Sequence, residues 1–342
     1  MLLLRGRGSL NSNEVDLAIL IGIDEAGYGP ILGPLAVSAV GLRLGDERLG
    51  QSLWEVLRGS VCKTEKGSHG RVAIHDSKKL HKPGKGYGLL QRGVLSCLGA
   101  LDQTGDGTLP KTVGELLGAT YGLPDGELAR YPWYAGFEQQ ALEYDADDVR
   151  VAGHVLREDL QRQQMALCRM RARVLPVGMY NEQVSKAKNK ALVLLGGVLG
   201  HVDEAVSSYG DAENKLQIVV DRLGGRTQYR EALQRVYPQM SLRILKEAEG
   251  VSSYQLVDAG WAFKIHFLTK GDDAQLPIAL ASMISKYLRE LFMERLNRYF
   301  IERHPDLKPT AGYYKDGRRF LDDLQARGER DMPLNNLLVR QR

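Results

Sequence analysis

The run 18–34, AILIGIDEAGYGPILGP, constrains the fold more than any other part of the chain. Residues 18–23 are apolar without a break. Such a run, bounded by turn residues, reads as a strand buried on both faces in the middle of a sheet. It ends in two adjacent carboxylates, Asp24 and Glu25, and then in a turn holding Gly27, Gly29 and Gly33 with Pro30 and Pro34. That turn is too rich in glycine and proline to be a helix. Two acids at the mouth of a central strand cost desolvation unless a cation compensates them. Successive strand side chains point to opposite faces, so these two converge only where the strand ends. Glycine permits that bend and lets another backbone come close. A hard metal ion with oxygen ligands is the simplest partner. The plainer alternative, a strand end whose acids face water, suits an isolated Asp-Glu pair.

Later segments repeat the theme. Residues 215–221, KLQIVVD, form another apolar run ending in a carboxylate, Asp221, with Gly224 and Gly225 after it. In an open α/β sheet such strand ends converge on one edge, where sites form. Residues 71–80, RVAIHDSKKL, predict a short strand and then a turn. There Asp76 or Ser77 suits a helix cap, and Lys78 and Lys79 beside a hydroxyl suit phosphate. His75 and His81 read as surface residues. After Lys270-Gly271-Asp272, residues 277–300 predict an amphipathic helix. Ala281, Ile284, Leu288 and Leu291 form one face; Ser282, Lys286, Arg289 and Glu290 form the other.

Jointly, these motifs resemble the type 2 ribonucleases H (ribonuclease HII and HIII). The matches are DEAGYG at 24–29, DSKKL at 76–80, Asp221, KGD at 270–272 before A-S-x-x-x-K-x-x-R-acid at 281–290, and Gly312-Tyr313. They span about residues 17–100 and 165–325. The resemblance implies a ribonuclease H-like α/β fold, a mixed five-stranded sheet flanked by helices. It implies four metal-binding catalytic acids, Asp24, Glu25, Asp221 and Glu290, holding two Mg2+ or Mn2+ ions roughly 3.5–4 Å apart. One ion would generate the attacking hydroxide and the other would stabilise the leaving 3′ oxygen. Gly27, Tyr28 and Gly29 would grip nucleic acid, with Ser77, Lys78 and Lys79 along the groove. Lys286 and Arg289 would neutralise phosphates or orient the acids, and Tyr313 would lie against the sugar at the cleavage junction. The implied substrate is an RNA–DNA hybrid, its RNA strand cut to leave 3′-hydroxyl and 5′-phosphate ends. The chain departs from the family at Tyr28, where Arg is usual, at Glu290, where Asp is usual, and at Lys315, where Thr is usual. Tyr28 keeps both glycines but removes a guanidinium, which separates hybrid cleavage from incision at a single embedded ribonucleotide. Two rivals stand beside this reading: a nucleic-acid-binding relative without turnover, and a related nuclease acting on DNA or junctions.

The chain has 342 residues, room for one large domain or two ordinary ones. A net charge of +4 permits a polyanionic partner without demanding one. Cys62, Cys97 and Cys168 share no metal-ligand spacing and suit a reducing compartment, with the cytoplasm as the default. The opening apolar run is too short for a secretory signal, and no later stretch reads as long enough to cross a membrane. A catalytic domain is expected over 15–330, interrupted by an insertion at 102–149 and followed by a tail at 331–342. The insertion reads as a small subdomain or a lid. Its aromatic cluster, Tyr131, Trp133, Tyr134 and Phe137, reads as that subdomain's own core in preference to a base-stacking platform. Further expectations are a half-exposed strand over 168–177, one helix over 182–206, and two or three strands over 241–269 that add a hairpin. Protein partners are left open.

Overall fold

The computed structural model describes residues 16–65, 69–81, 86–101, 108–120, 122–211, 215–329 and 334–341. The opening run examined for a secretory signal, the start of the expected insertion and part of the tail lie outside the described residues. One mixed sheet of seven strands organises the chain. Its strands are β1 (Leu17–Ala26), β2 (Leu35–Gly45), β3 (Ala166–Leu175), β4 (Lys215–Asp221), β5 (Ser241–Ala248), β6 (Val251–Asp258) and β7 (Trp261–Leu268). They stand in the order β3-β2-β1-β4-β7-β6-β5. β4 lies parallel to β1 and to β7, and every other pairing is antiparallel. The sheet is of the mixed α/β class expected from sequence, with seven strands where five were expected. The two outermost, β5 and β6, are the hairpin expected over 241–269.

Six longer helices cover the sheet: α1 (Gly88–Ala100), α2 (Ala146–Arg162), α3 (Val177–Ala187), α4 (Lys190–Tyr209), α5 (Leu276–Arg303) and α6 (Tyr314–Ala326). β1 divides the core by its pleat. Leu20 joins the cluster under α1, α2 and α5, while Ile19, Ile21 and Ile23 join the one under α3 and α4. α5 lies so close to the sheet that a Cβ on Gly22 would stand 2.3 Å from the Pro277 backbone carbon. Only glycine allows that approach, and it brings the middle of α5 over the carboxyl end of β1.

Several expectations are corrected here. The polar face of α5 is not solvated: Ser282, Ser285 and Arg289 are buried along with its apolar residues, against Ser77, against Asp24 and Ser38 of the sheet, and against the Ala311 carbonyl. That aromatic cluster is indeed core, but the core is shared. Tyr134 and Phe137 pack edge-on against Phe292, each with ring centroids 5.0 Å apart, and Trp133 packs on Phe300. The segment expected as one helix over 182–206 is two, α3 and α4. The break comes at Lys188, whose φ of 54° is left-handed, and at Asn189, whose side chain accepts from the Ala191 amide at 2.8 Å to cap α4. β3 is mostly buried, not half-exposed, because helices lie on both its faces. α4 is long and apolar enough by composition to cross a membrane, with a mean hydropathy of 1.3, where no such stretch was expected. Its Val193, Leu194, Leu195, Val198 and Val202 instead pack into the second core cluster. All three cysteines are free.

Candidate active site

At the carboxyl end of β1 the sheet splits. Pairing with β4 stops at Ile23–Val220, while pairing with β2 runs on to Ala26–Ala36. The strand therefore does not end at the acids, as expected from sequence; one of its two neighbours leaves. The split opens a cleft of about 280 Å³ lined by Asp24, Glu25, Asp221 and Asp272. Gly27, Tyr28, Gly29 and Pro30, Ser77 and Lys78, and Ser282, Lys286, Arg289 and Tyr313 also line it.

The acids are held against their charge. Burial, then the neighbouring Glu25 and Asp221, push the Asp24 carboxyl well above its usual range. Burial and Asp221 push Glu25 up to about 7. Asp221 is raised mainly by burial, although the Gly271 amide donates to its Oδ1 at 2.8 Å. Burial, with Asp76 and Asp221 beside it, pushes Asp272 up to about 6. Glu25 Oε2 is buried with no hydrogen-bond partner. Four oxygen-bearing groups with this much unrelieved negative charge fit a hard divalent cation. Among the described residues no three such side chains stand close enough to form a ready-made cage. Asp24 meets the Ser282 hydroxyl of α5.

Glu290, expected as the fourth acid, lines no part of the cleft. Lys286 Nζ donates to its Oε1 at 2.5 Å and Arg289 Nη1 at 3.2 Å, while His81 Nε2 stands 4.0 Å from Oε2. Burial favours its protonated form, but Lys286 and Arg289 outweigh that and hold the carboxyl below its usual range. Asp272 takes the place in the cleft. The sequence signal was present in Lys270-Gly271-Asp272, which was read only as a lead-in to the helix.

The remaining residues divide by role. Ser77 is buried in the wall of the cleft and accepts from Ser282 Oγ at 3.0 Å, and Asp76 caps the short helix Ser77–Leu80 by accepting from the Lys78 amide. Ser285 Oγ donates to the Asp24 carbonyl at 3.1 Å, tying α5 to β1. Lys79 does not line the cleft; it pairs with Asp273 at the rim. His75 is buried and accepts from the Asp76 amide at 2.7 Å, and His81 is half-buried beside Glu290, so neither is the surface residue expected. Gly27 has φ of 91°, and a Cβ there would stand 2.6 Å from the Pro34 carbonyl oxygen and 2.9 Å from Arg289 Cδ. Arg289, buried beneath the turn, donates to the Ala311 carbonyl at 2.8 Å and lies 5.7 Å from the Tyr313 ring centre. Around Gly29 nothing comes within 4 Å of where a Cβ would stand, leaving space for a ligand. Tyr28 packs beside Lys190, whose ammonium is 5.2 Å from its ring centre.

No protein-family model matches the chain, and no curated protein matches it. Solved structures similar to it include the PCNA:RNase HII complex from Archaeoglobus fulgidus, at 18% identity and a TM-score of 0.40, over 95% of this chain and 94% of that one. Aquifex aeolicus RNase H3 is similar at 12% identity and 0.42, over 94% and 71%. Bst-RNase HIII in complex with Mn2+ is similar at 16% identity and 0.40, over 96% and 67%. The overlap with each is loose, and the chemistry of this cleft is read from the residues that line it.

Proposed function

We propose that the chain is a metal-dependent endonuclease of the ribonuclease H type that hydrolyses the RNA strand of RNA–DNA hybrids, acting in the cytoplasm. The observation that carries this reading is the cleft itself. Buried, charge-frustrated carboxylates from three separate segments meet cations and an open glycine turn there. Asp24, Glu25, Asp221 and Asp272 would hold magnesium or manganese, which when bound polarises a phosphodiester and acidifies water. Lys78 and Lys286 line the cleft and draw the phosphate backbone in. The open backbone at Gly29 admits the ribose side of the strand, where a 2′-hydroxyl separates RNA from DNA. Tyr313, 53% exposed at the rim, offers a flat surface for the sugar at the junction. Cutting between the phosphorus and the 3′ oxygen leaves 3′-hydroxyl and 5′-phosphate ends. Glu290 orients Lys286 and Arg289.

The test is cleavage of labelled duplexes in magnesium or manganese: an RNA–DNA hybrid, one ribonucleotide within DNA, and plain DNA. Hybrid cutting that vanishes in Asp24→Asn and Asp221→Asn, with hybrid binding retained, supports the proposal. Cutting of plain DNA alone would overturn the substrate, and binding without cutting in either metal would overturn the enzyme.

A further inference from the structure

The cleft does not end at the glycine turn. Beyond Tyr28, Gly29 and Pro30 lies a second pocket of about 260 Å³, closed by Tyr180, Lys190 and Arg340. The first three residues line both pockets and form a common wall. Arg340 arrives from residues 334–341, which the chain lays back under the turn. Its amide donates to the Ile31 carbonyl at 2.9 Å and its Nε to the Gly33 carbonyl at 2.8 Å, and its Nη1 donates to the Gly27 carbonyl. The guanidinium lies 4.7 Å from the centre of the Tyr180 ring.

This pocket holds positive charge that nothing nearby balances. Arg340 is 5% exposed, and its Nη2 is buried without a hydrogen-bond partner. Its partners are carbonyl dipoles, and the strongest charge acting on it is another cation, Arg289. Burial and that neighbour push the guanidinium down to about 9. Lys190 makes no ion pair with any described residue. It opens the 20-residue helix α4, whose first turn contains no acid. A cation there opposes the helix dipole, whereas an anion would be favoured by it. Two cations, a helix N-terminus and an orphaned N–H donor around one cavity describe a seat for an anion.

We infer that this second pocket is a subsite for a backbone phosphate of the nucleic-acid strand that crosses the acidic cleft. The shared wall selects a polymer: a strand passing over Tyr28 and Gly29 occupies both pockets, while a free anion fills one. The identity of the polymer rests on the hydrolase reading above. The tail thus does two things, pinning the glycine turn and adding positive charge to the wall of the pocket the strand enters.

Lys190→Ala tests this without relying on turnover. Binding of a labelled RNA–DNA hybrid is measured without added metal across a salt series. A second series replaces one phosphate at a time with an uncharged methylphosphonate. The variant should bind several-fold more weakly, and its slope of log affinity against log salt should be shallower by about one. One methylphosphonate position should weaken the wild type several-fold and leave the variant unaffected. Equal slopes, with no position that distinguishes the two proteins, would overturn the subsite alone if the wild type binds and cuts the hybrid. A wild type that neither binds nor cuts it would overturn the hydrolase reading and the subsite together. Inorganic phosphate that raises the thermal midpoint of the wild type but not of Lys190→Ala, with equal hybrid slopes, would assign the pocket to a small phosphate and overturn the strand. Lys190→Gln, which keeps the aliphatic stem, runs in parallel so that loss of packing on Tyr28 is not mistaken for loss of charge.

Discussion

Glu25 is the residue where structure and titration bear most directly on each other. Its carboxyl moves from 4.5 to about 7 on folding, so the folded chain holds that proton more tightly than the unfolded one. The sign follows: this carboxyl's contribution to stability is greatest below about 4.5 and is lost as pH rises toward 7, by on the order of 3 kcal/mol. Metal-free protein should therefore show a thermal midpoint that falls across this window. Glu25→Gln should remove part of the fall, the rest belonging to Asp24, Asp221 and Asp272, and stand above the wild type at pH 8; a flat wild-type profile would contradict the strain assigned to the site. Magnesium should raise the wild-type midpoint at pH 8 by mass action. At Gly27, alanine would adopt a left-handed φ and meet the Pro34 carbonyl, so Gly27→Ala should cost about 2 kcal/mol or more in urea denaturation and abolish cleavage. Asp24, Glu25 and Asp221 were legible in the sequence because each ends an apolar run beside glycines. Glu290 was read as the fourth acid because it completed a motif, and Asp272 was not weighed; spacing does not show that Lys286, four residues before Glu290, pairs with it. Lys190 and Arg340 carried no pattern at all; only the chain's return path makes them neighbours of Tyr28.

Elements were legible to the degree that their burial followed their polarity. β1 and β4 were, since an apolar run has few places to go except the middle of a sheet. α5 was misjudged because periodicity counts polar residues and not their partners: Ser282 and Arg289 are buried because Ser77 and the Ala311 carbonyl receive them. The α3–α4 break was missed because Lys188-Asn189 lacks the glycine or proline that usually marks one. It matters for the site, since ending α3 there lets α4 begin beside Tyr28. Asn189→Ala should cost about 1 kcal/mol in chemical denaturation through the lost cap, with the far-ultraviolet spectrum otherwise preserved. A cost near zero would mean that packing alone sets the start of α4.

At the scale of the whole molecule, the two ends of the described chain meet at the cleft. β1 supplies the acids, and residues 334–341 close over the turn that follows them. Val339 bridges to Leu32, and Asn181 Nδ2 donates to the carbonyls of Asn336 and Val339 at 2.9 and 2.8 Å. Removing residues 331–342 should leave the sheet folded and lower the thermal midpoint by on the order of 5 °C. Amide exchange should speed up at residues 27–34 while β4 and β7 stay protected; unchanged exchange in the turn would show that it needs no support. The same arrangement sets a schedule for biosynthesis. Chains emerge from the ribosome amino end first, and domains begin to fold as they do. The acids of β1 are therefore made more than three hundred residues before the arginine that fixes their turn. A nascent chain can therefore assemble β1 and its neighbours in the sheet well before the turn that follows its acids is pinned.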